Sequence, residues 1–301
     1  MTRSWYRYAL PRMAAGVLLA AFPLLAQAGS GGGAPAPLRI KYKQGEINKY
    51  QTNMSITLAG MGAKKGAQGG SMPIQQMSVM QEFKTRKLLP NGSAEVLITT
   101  TNMQSGAAMG STPLPKPVTL VMDSRGSVKA AKGKPGGAMS SMFSGMMSSN
   151  ALGTQQFPLP EKAVKPGDVW TTILPTPGMG TSTIKGQFVK VETVGKHKTA
   201  LLHYVLMMPM KVMMDAAMQP TQSAAAATMT MSGNIVMNVD NDVEMLDGRL
   251  IRSSGSGTML MTIIPNGRKA IAPKPGSPSK QPMPGNMKFN TNISLGTTLV
   301  E

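Results

Sequence analysis

The chain has 301 residues with no cysteine, two histidines and a formal net charge of +18. The absence of cysteine excludes disulfides, thiolate metal sites and a cysteine nucleophile, and it excludes the cysteine-borne lipid anchor of bacterial lipoproteins. The excess of basic residues favours contact with anionic surfaces or polymers. Because aromatic residues make up 4% of the chain and the lysines are scattered, specific nucleic-acid binding is not expected.

Residues 1–28 have the three parts of a cleavable secretory signal. A start with three arginines precedes an apolar run over residues 13–26, and Ala26-Gln27-Ala28 offers small residues where a signal peptidase cuts. The run is shorter than the roughly 20 residues that span a bilayer, so a removed signal is favoured over a membrane anchor. We therefore expect an exported protein, periplasmic or extracellular and not a lipoprotein, with residues 29–37 as a glycine- and proline-rich tether.

A first β half is predicted over residues 38–130. Apolar and basic residues alternate from its start, which predicts a strand with one buried and one basic face. The basic face consists of Arg39, Lys41 and Lys43. These three side chains are the candidate contacts to an anionic membrane surface or envelope polymer.

Two hairpins are predicted within this half. Asn91-Gly92 joins β-rich residues 77–88 and 93–103, and both turn residues tolerate a positive φ. A shorter hairpin is predicted at residues 123–126.

Residues 131–156 separate the halves and contain the one predicted helix, residues 137–150. Its glycines and serines give weak helix propensity, so packing must hold it in place. Its apolar side chains recur at helical spacing and are candidate ligand contacts, either as plain core or as a cover over an apolar surface. They are Met139, Met142, Phe143, Met146 and Met147.

The second β half, residues 157–301, repeats the pattern of the first. Residues 165–170 parallel residues 43–50, and a long hairpin is predicted around 195–198. The many short β patterns predict an all-β, mainly antiparallel fold, a curved meander built from two pseudo-repeats. The sequence leaves open whether the halves form one continuous sheet or two domains.

Residues 157–170 read Phe-Pro-Leu-Pro-Glu-Lys-Ala-Val-Lys-Pro-Gly-Asp-Val-Trp and contain the pattern P-x-x-x-V-x-x-G-D-x-W. With the meander strands that follow and a late Asp-Gly turn, the chain resembles a family of exported bacterial all-β proteins of unknown function. The resemblance implies long curved antiparallel sheets, similar in outline to periplasmic lipoprotein-carrier folds. It implies no activity, cofactor or site residue.

Catalysis has little support in the sequence. His197 lies in a lysine-flanked turn, where solvation is expected, and His203 lies within a strand on the face of Leu201 and Val205. No nucleophile elbow, phosphate-binding loop or His-Glu-x-x-His motif occurs. We therefore expect a protein that is not an enzyme, with a hydrolase built on His203 as a remote alternative.

Methionine is the compositional anomaly, with 29 residues. The simplest interpretation is core filling, because methionine adapts to irregular gaps. A second is copper(I) binding by thioethers, at the segment described above or at the group Met207, Met208, Met210, Met213 and Met214. A third is an adaptable apolar binding surface.

The function expected from the sequence is a non-catalytic binding or scaffolding module without a cofactor. Its expected partner is an apolar ligand or an anionic component of the cell envelope, either a polymer or a membrane surface. A methionine-rich copper(I)-binding protein is the main alternative.

Overall fold

The computed structural model describes residues 34–58, 72–105, 114–132, 157–176, 180–215, 228–266 and 287–300. Gly32–Glu301 belong to one compact unit. No helix in the described ranges is both long and apolar enough to cross a bilayer. The predicted signal peptide and the predicted helix at 137–150 lie outside the described residues and stay predictions.

The described chain is one antiparallel sheet of eleven strands, which confirms the predicted all-β class. The strands are β1 Ile47–Leu58, β2 Met72–Leu88, β3 Ala94–Ser105, β4 Val118–Met122, β5 Val128–Lys132, β6 Val169–Thr176, β7 Gly180–Val194, β8 His197–Asp215, β9 Thr228–Glu244, β10 Leu250–Asn266 and β11 Met287–Val300. Across the sheet their order is β5-β4-β3-β2-β1-β11-β10-β9-β8-β7-β6. A short 3-10 turn, Pro90–Gly92, joins β2 to β3.

The first and the last strand of the chain, β1 and β11, join the two halves of the sheet. Strands β1 to β5 form one meander and β6 to β11 another, and β1 pairs antiparallel with β11. Thr52 lies opposite Thr297 in this pairing, and their hydroxyl oxygens are 3.4 Å apart. Of the two arrangements left open by the sequence, the structure has the continuous sheet.

Each half begins with the same hydrogen-bonded turn, at residues 43–46 and 165–168. In both, a glycine with positive φ (84° and 96°) donates its amide to the second strand of that half, and an amide of that strand donates back to the acidic residue. The bonds are Gly45 N to Thr85 O and Thr85 N to Glu46 O, then Gly167 N to Phe188 O and Phe188 N to Asp168 O. The sequence similarity between the halves therefore corresponds to a repeated turn.

All the described turns lie at one end of the sheet, which we call the turn end. They are residues 43–46, 89–93, 123–127, 165–168, 195–196 and 245–249. The predicted Asn91-Gly92 hairpin is confirmed, with φ values of 68° and 74°. At the opposite end, the connections between strands lie outside the described residues except for residues 114–117, which precede β4.

The segment 38–43 is not the first strand of the sheet, as its alternation predicted, but crosses the turn end. The amide of Ile40 donates to Ser124 O (2.7 Å), and the next amide, of Lys41, donates to Asp247 O (2.8 Å). Ser124 follows β4 and Asp247 precedes β10, two strands that would lie about 24 Å apart in a flat sheet. Because adjacent residues of one segment reach both turns, the sheet must curve around this segment.

The inner face of the sheet is the one on which Leu38, Phe157 and Leu159 pack. These three side chains are at most 1% exposed. The main core joins them to alternate residues of the strands, including Phe188, Leu202, Tyr204, Met237 and Val239. The curvature lets neighbouring strands crowd this face: a Cβ at Gly257 would lie 2.4 Å from Val236 O and 2.7 Å from Met237 Cγ.

Candidate functional site

Two segments cross the inner face near the turn end. Residues 36–43 are linked to residues 157–164 by a backbone bridge between Ala36 and Val164. Phe157 packs on Tyr204 with ring centroids 5.0 Å apart, and Trp170 meets the same ring edge-on at 5.8 Å. This part of the inner face is therefore filled by the chain itself.

Two arginines hold the second crossing segment. Arg39 donates from its guanidinium to the carbonyls of Leu38 (2.7 Å) and Pro160 (2.8 Å), and also to that of Glu161. Arg125 Nε donates to Leu159 O at 2.9 Å. The guanidinium of Arg39, one of the three predicted anion contacts, is thus engaged with the backbone, whereas Lys41 and Lys43 are exposed at the turn end.

We expect Arg39→Lys to lower the free energy of unfolding by about 1–2 kcal/mol, because an ammonium cannot reproduce the fork of bonds to several carbonyls. Urea denaturation followed by tryptophan fluorescence measures this. The matched control is Lys41→Met, in the same segment but exposed, with a change of less than about 0.5 kcal/mol. Equal effects of the two substitutions would contradict the structural role of Arg39.

Beyond the crossing segments the inner face stays apolar. Four half-buried side chains, which we call the inner apolar patch, pack against the edge of the core there: Ile56 on β1, Met103 on β3, and Met259 and Met261 on β10. Of the described segments outside the strands, those at 36–43 and 157–164 are the ones that cross this face, and their backbone hydrogen bonds go to each other and to turns at the turn end. On the described strands, Lys198, exposed at the turn end, is the one charged residue that alternation places on the inner face, and no charged strand residue lies on that face beside the patch.

The predicted ligand and copper residues fall into three groups in the structure. Met139, Met142, Phe143, Met146 and Met147 lie outside the described residues, so their role stays a prediction. Met207 is 45% exposed on the outer face, and Met208 is 1% exposed on the inner face, so these two cannot share one ion. Met210, Met213 and Met214 belong to β8, but their side chains are not among those described.

The predicted solvation of His197 is wrong. Its side chain is 10% exposed, and its Nδ1 lies 2.7 Å from Glu244 Oε1. The strand β8 begins at His197 itself and pairs with β9, whose last residue is Glu244, so the imidazole lies against a carboxylate and not in a solvated turn.

Glu244 lies at the centre of a partly buried ionic network at the turn end. Arg249 Nη2 donates to Glu244 Oε2 at 2.8 Å, and the same guanidinium lies 3.9 Å from Glu46 and 4.0 Å from Asp247. Burial acts to raise the pKa of Glu244, but hydrogen bonds from His197, Asp247 and Arg249 outweigh it and lower that pKa to about 2. Burial and the neighbouring Glu244 raise the pKa of Asp247. Sequence reasoning missed this network because Glu46 and His197 join Glu244, Asp247 and Arg249 from distant parts of the chain.

His203 occupies the predicted place on β8, on the outer face with Leu201 and Val205. Its Nδ1 lies 2.7 Å from Asp240 Oδ1, and both side chains are partly exposed. Ser254 is in register with Asp240 on the side away from His203, about two strand spacings (~10 Å) from the imidazole. The carboxylate that a hydrolase needs is therefore present, but this hydroxyl is out of reach of the imidazole.

No family model and no curated protein matches the chain. Among solved structures, one described as "Lipid-protein interactions in lipovitellin" is similar to it with a TM-score of 0.45 and 10% identity. The alignment covers 86% of this chain and 25% of that one, so the chain spans about a quarter of the lipovitellin chain. A likeness at this level supports no statement about ligand or family.

Proposed function

We propose that this is an exported, non-catalytic binding protein that takes an elongated apolar ligand, such as an acyl chain, on its inner face. One observation carries the proposal: the apolar lining of the curved sheet continues past the two crossing segments into the inner apolar patch. The signal-like N-terminus supports an exported location.

The chemistry of the patch suits an uncharged chain. Three of its four side chains are methionines, whose unbranched thioethers adapt to a flexible hydrocarbon without a fixed shape. Because the described strand residues beside the patch on the inner face carry no charge, they offer no partner for a buried ionic group. An apolar chain gains from leaving water there, whereas a charged headgroup would have to remain outside the sheet.

Strand β10 supplies a test with an internal control. Met259 and Met261 point to the inner face, and Leu260 between them is 57% exposed on the outer face. We expect Met259→Gln with Met261→Gln to weaken binding of a fluorescent fatty acid at least tenfold, since two apolar contacts of about 1 kcal/mol or more are lost. Leu260→Gln is expected to leave the affinity unchanged.

The measurement is a fluorescence titration of the purified protein with the fatty acid, after circular dichroism has shown that each variant keeps its β spectrum. Equal affinities of the inner-face double variant and Leu260→Gln would contradict the proposal. So would the absence of saturable binding to the unsubstituted protein.

A further inference from the structure

The structure gathers at one end the lysines that look scattered in the sequence. Turns and strand termini at the turn end carry exposed cations, because each hairpin there returns the chain to the same side of the sheet. Six of them are Lys43, Lys87, Lys162, Lys165, Lys196 and Lys198.

The acidic residues of this end offset little of that charge at the surface. Glu244, Asp247 and Glu46 surround Arg249 and have side chains 11%, 11% and 22% exposed. Asp123 accepts the amides of Arg125 and Ser127, both at 2.9 Å, and lies 3.1 Å from the ammonium of Lys129. The surface potential of the turn end is therefore positive, although the exposed Glu161 and the half-buried Asp168 also lie there.

Two leucines project among these cations. Leu246, in the turn between β9 and β10, is 73% exposed, and Leu88, which follows Lys87 at the end of β2, is 46% exposed. Leu246 lies in a turn and Leu88 at the end of a strand, so no described strand covers either side chain. Exposed leucine beside lysine is the combination by which proteins bind at a membrane interface, since each part contacts a different layer of the lipid.

We propose that the turn end docks on an anionic phospholipid surface, with lysines at the headgroups and Leu246 and Leu88 inserted between them. A bilayer fits better than a nucleic acid for two reasons. First, the cations lie on separate turns along the curved edge of the sheet, and a membrane surface can contact all of these turns at once. Second, the exposed large hydrophobic side chains of the described residues include leucines at the turn end and no aromatic ring for base stacking. This inference is independent of ligand binding on the inner face.

Vesicle co-sedimentation tests the proposal with full-length mature protein. We expect binding to vesicles of equal parts phosphatidylcholine and phosphatidylglycerol, little binding to phosphatidylcholine alone, and release at about 0.5 M salt. Lys196→Gln with Lys198→Gln is expected to weaken binding by about fivefold per lysine, and Leu246→Asp by about tenfold.

Matched controls are Lys185→Gln, on β7 away from the turn end, and Leu260→Asp, an exposed leucine on β10. Both are expected to bind vesicles as the unsubstituted protein does. The proposal is overturned if the control variants lose as much binding as the turn-end variants. It is also overturned if neutral vesicles bind equally well, or if a DNA duplex binds more tightly than vesicles with no effect of Leu246→Asp. If the unsubstituted protein binds vesicles but no fatty acid, the function proposed for the inner face is contradicted and the docking surface at the turn end remains supported.

Discussion

Replacing Arg249 with methionine is expected to lower the free energy of unfolding by about 3 kcal/mol. The guanidinium lies 2.8 Å from Glu244, 3.9 Å from Glu46 and 4.0 Å from Asp247, and Glu244 and Glu46 come from opposite halves of the sheet. Without it, carboxylates that are 11–22% exposed repel one another with no cation in place of Arg249. The expected loss of stability arises because buried carboxylates are left without a cation, and it does not measure how much the ion pair stabilises the protein.

The same variant should show a defined pH dependence. The pKa of Glu244 is about 2 in the folded protein against an ordinary value of 4.5, so its ionised form stabilises the fold above about pH 4.5. That stabilisation is lost as the pH falls from about 4.5 towards 2. The difference between the unsubstituted protein and Arg249→Met is therefore expected to be largest near neutral pH and to shrink below about pH 4.5.

Urea denaturation at several pH values measures both effects. Lys49→Met is the control, because the ammonium of Lys49 lies 3.1 Å from Glu82 but has a side chain 52% exposed. Breaking such a surface pair is expected to cost less than about 1 kcal/mol. A difference for Arg249→Met that stays constant from pH 7 to about pH 3 would contradict the role given to Glu244.

Gly248→Ala is expected to destabilise the protein by about 2–4 kcal/mol and to release the crossing segment from the turn end. Gly248 has φ 70°, and a Cβ there would lie 2.3 Å from Arg39 O and 2.4 Å from its carbonyl carbon. These are backbone atoms, so no side-chain rotation can relieve the overlap.

The matched control for this variant is Gly195→Ala. Gly195 also has a positive φ, 59°, but nothing lies within 4 Å of its added Cβ. Its substitution is expected to cost about 1 kcal/mol, the conformational strain alone. Thermal unfolding compares the two variants, and limited proteolysis shows whether cleavage near residues 34–43 accelerates in Gly248→Ala. Equal stabilities would contradict the close approach of Arg39 to the turn.

Local patterns in the sequence were sufficient for these turns and for the all-β class, although not for the segment 38–43. Asn91-Gly92 identifies its hairpin because few residue pairs accept two consecutive positive φ values, and the structure has both. The repeated Lys-x-Gly-acid pattern likewise marks the turn that opens each half. These patterns are reliable because the conformation of a tight turn depends only on the few residues within it.

Alternation does not reveal a strand's partner. Leu38 and Arg39 alternate as predicted, with 1% exposure for the leucine, but this segment bonds to turns of distant strands and not to a neighbouring strand. The burial of His197 depends equally on a distant residue, because Glu244 is 47 positions away. Curvature of the whole sheet decides the first outcome, and the pairing of β8 with β9 decides the second.

The inner apolar patch could be predicted in part. The two-residue spacing of Met259 and Met261 places them on one face of a strand, and Ile56 lies between the polar residues Ser55 and Thr57 on β1. Their incomplete burial depends on how far the crossing segments extend, which no local pattern records. The gathering of lysines at the turn end also follows from counting hairpins, since successive turns of a meander alternate between its two ends.

The most direct test of ligand binding on the inner face uses the methionines themselves. Their ε-methyl resonances, labelled with carbon-13, report on both faces: Met103, Met259 and Met261 lie on the inner face, and Met80 and Met207 on the outer face. Adding a spin-labelled fatty acid should broaden the three inner-face resonances and leave the two outer-face resonances sharp. Broadening of Met80 and Met207 instead, or equal broadening of all five, would contradict binding on the inner face.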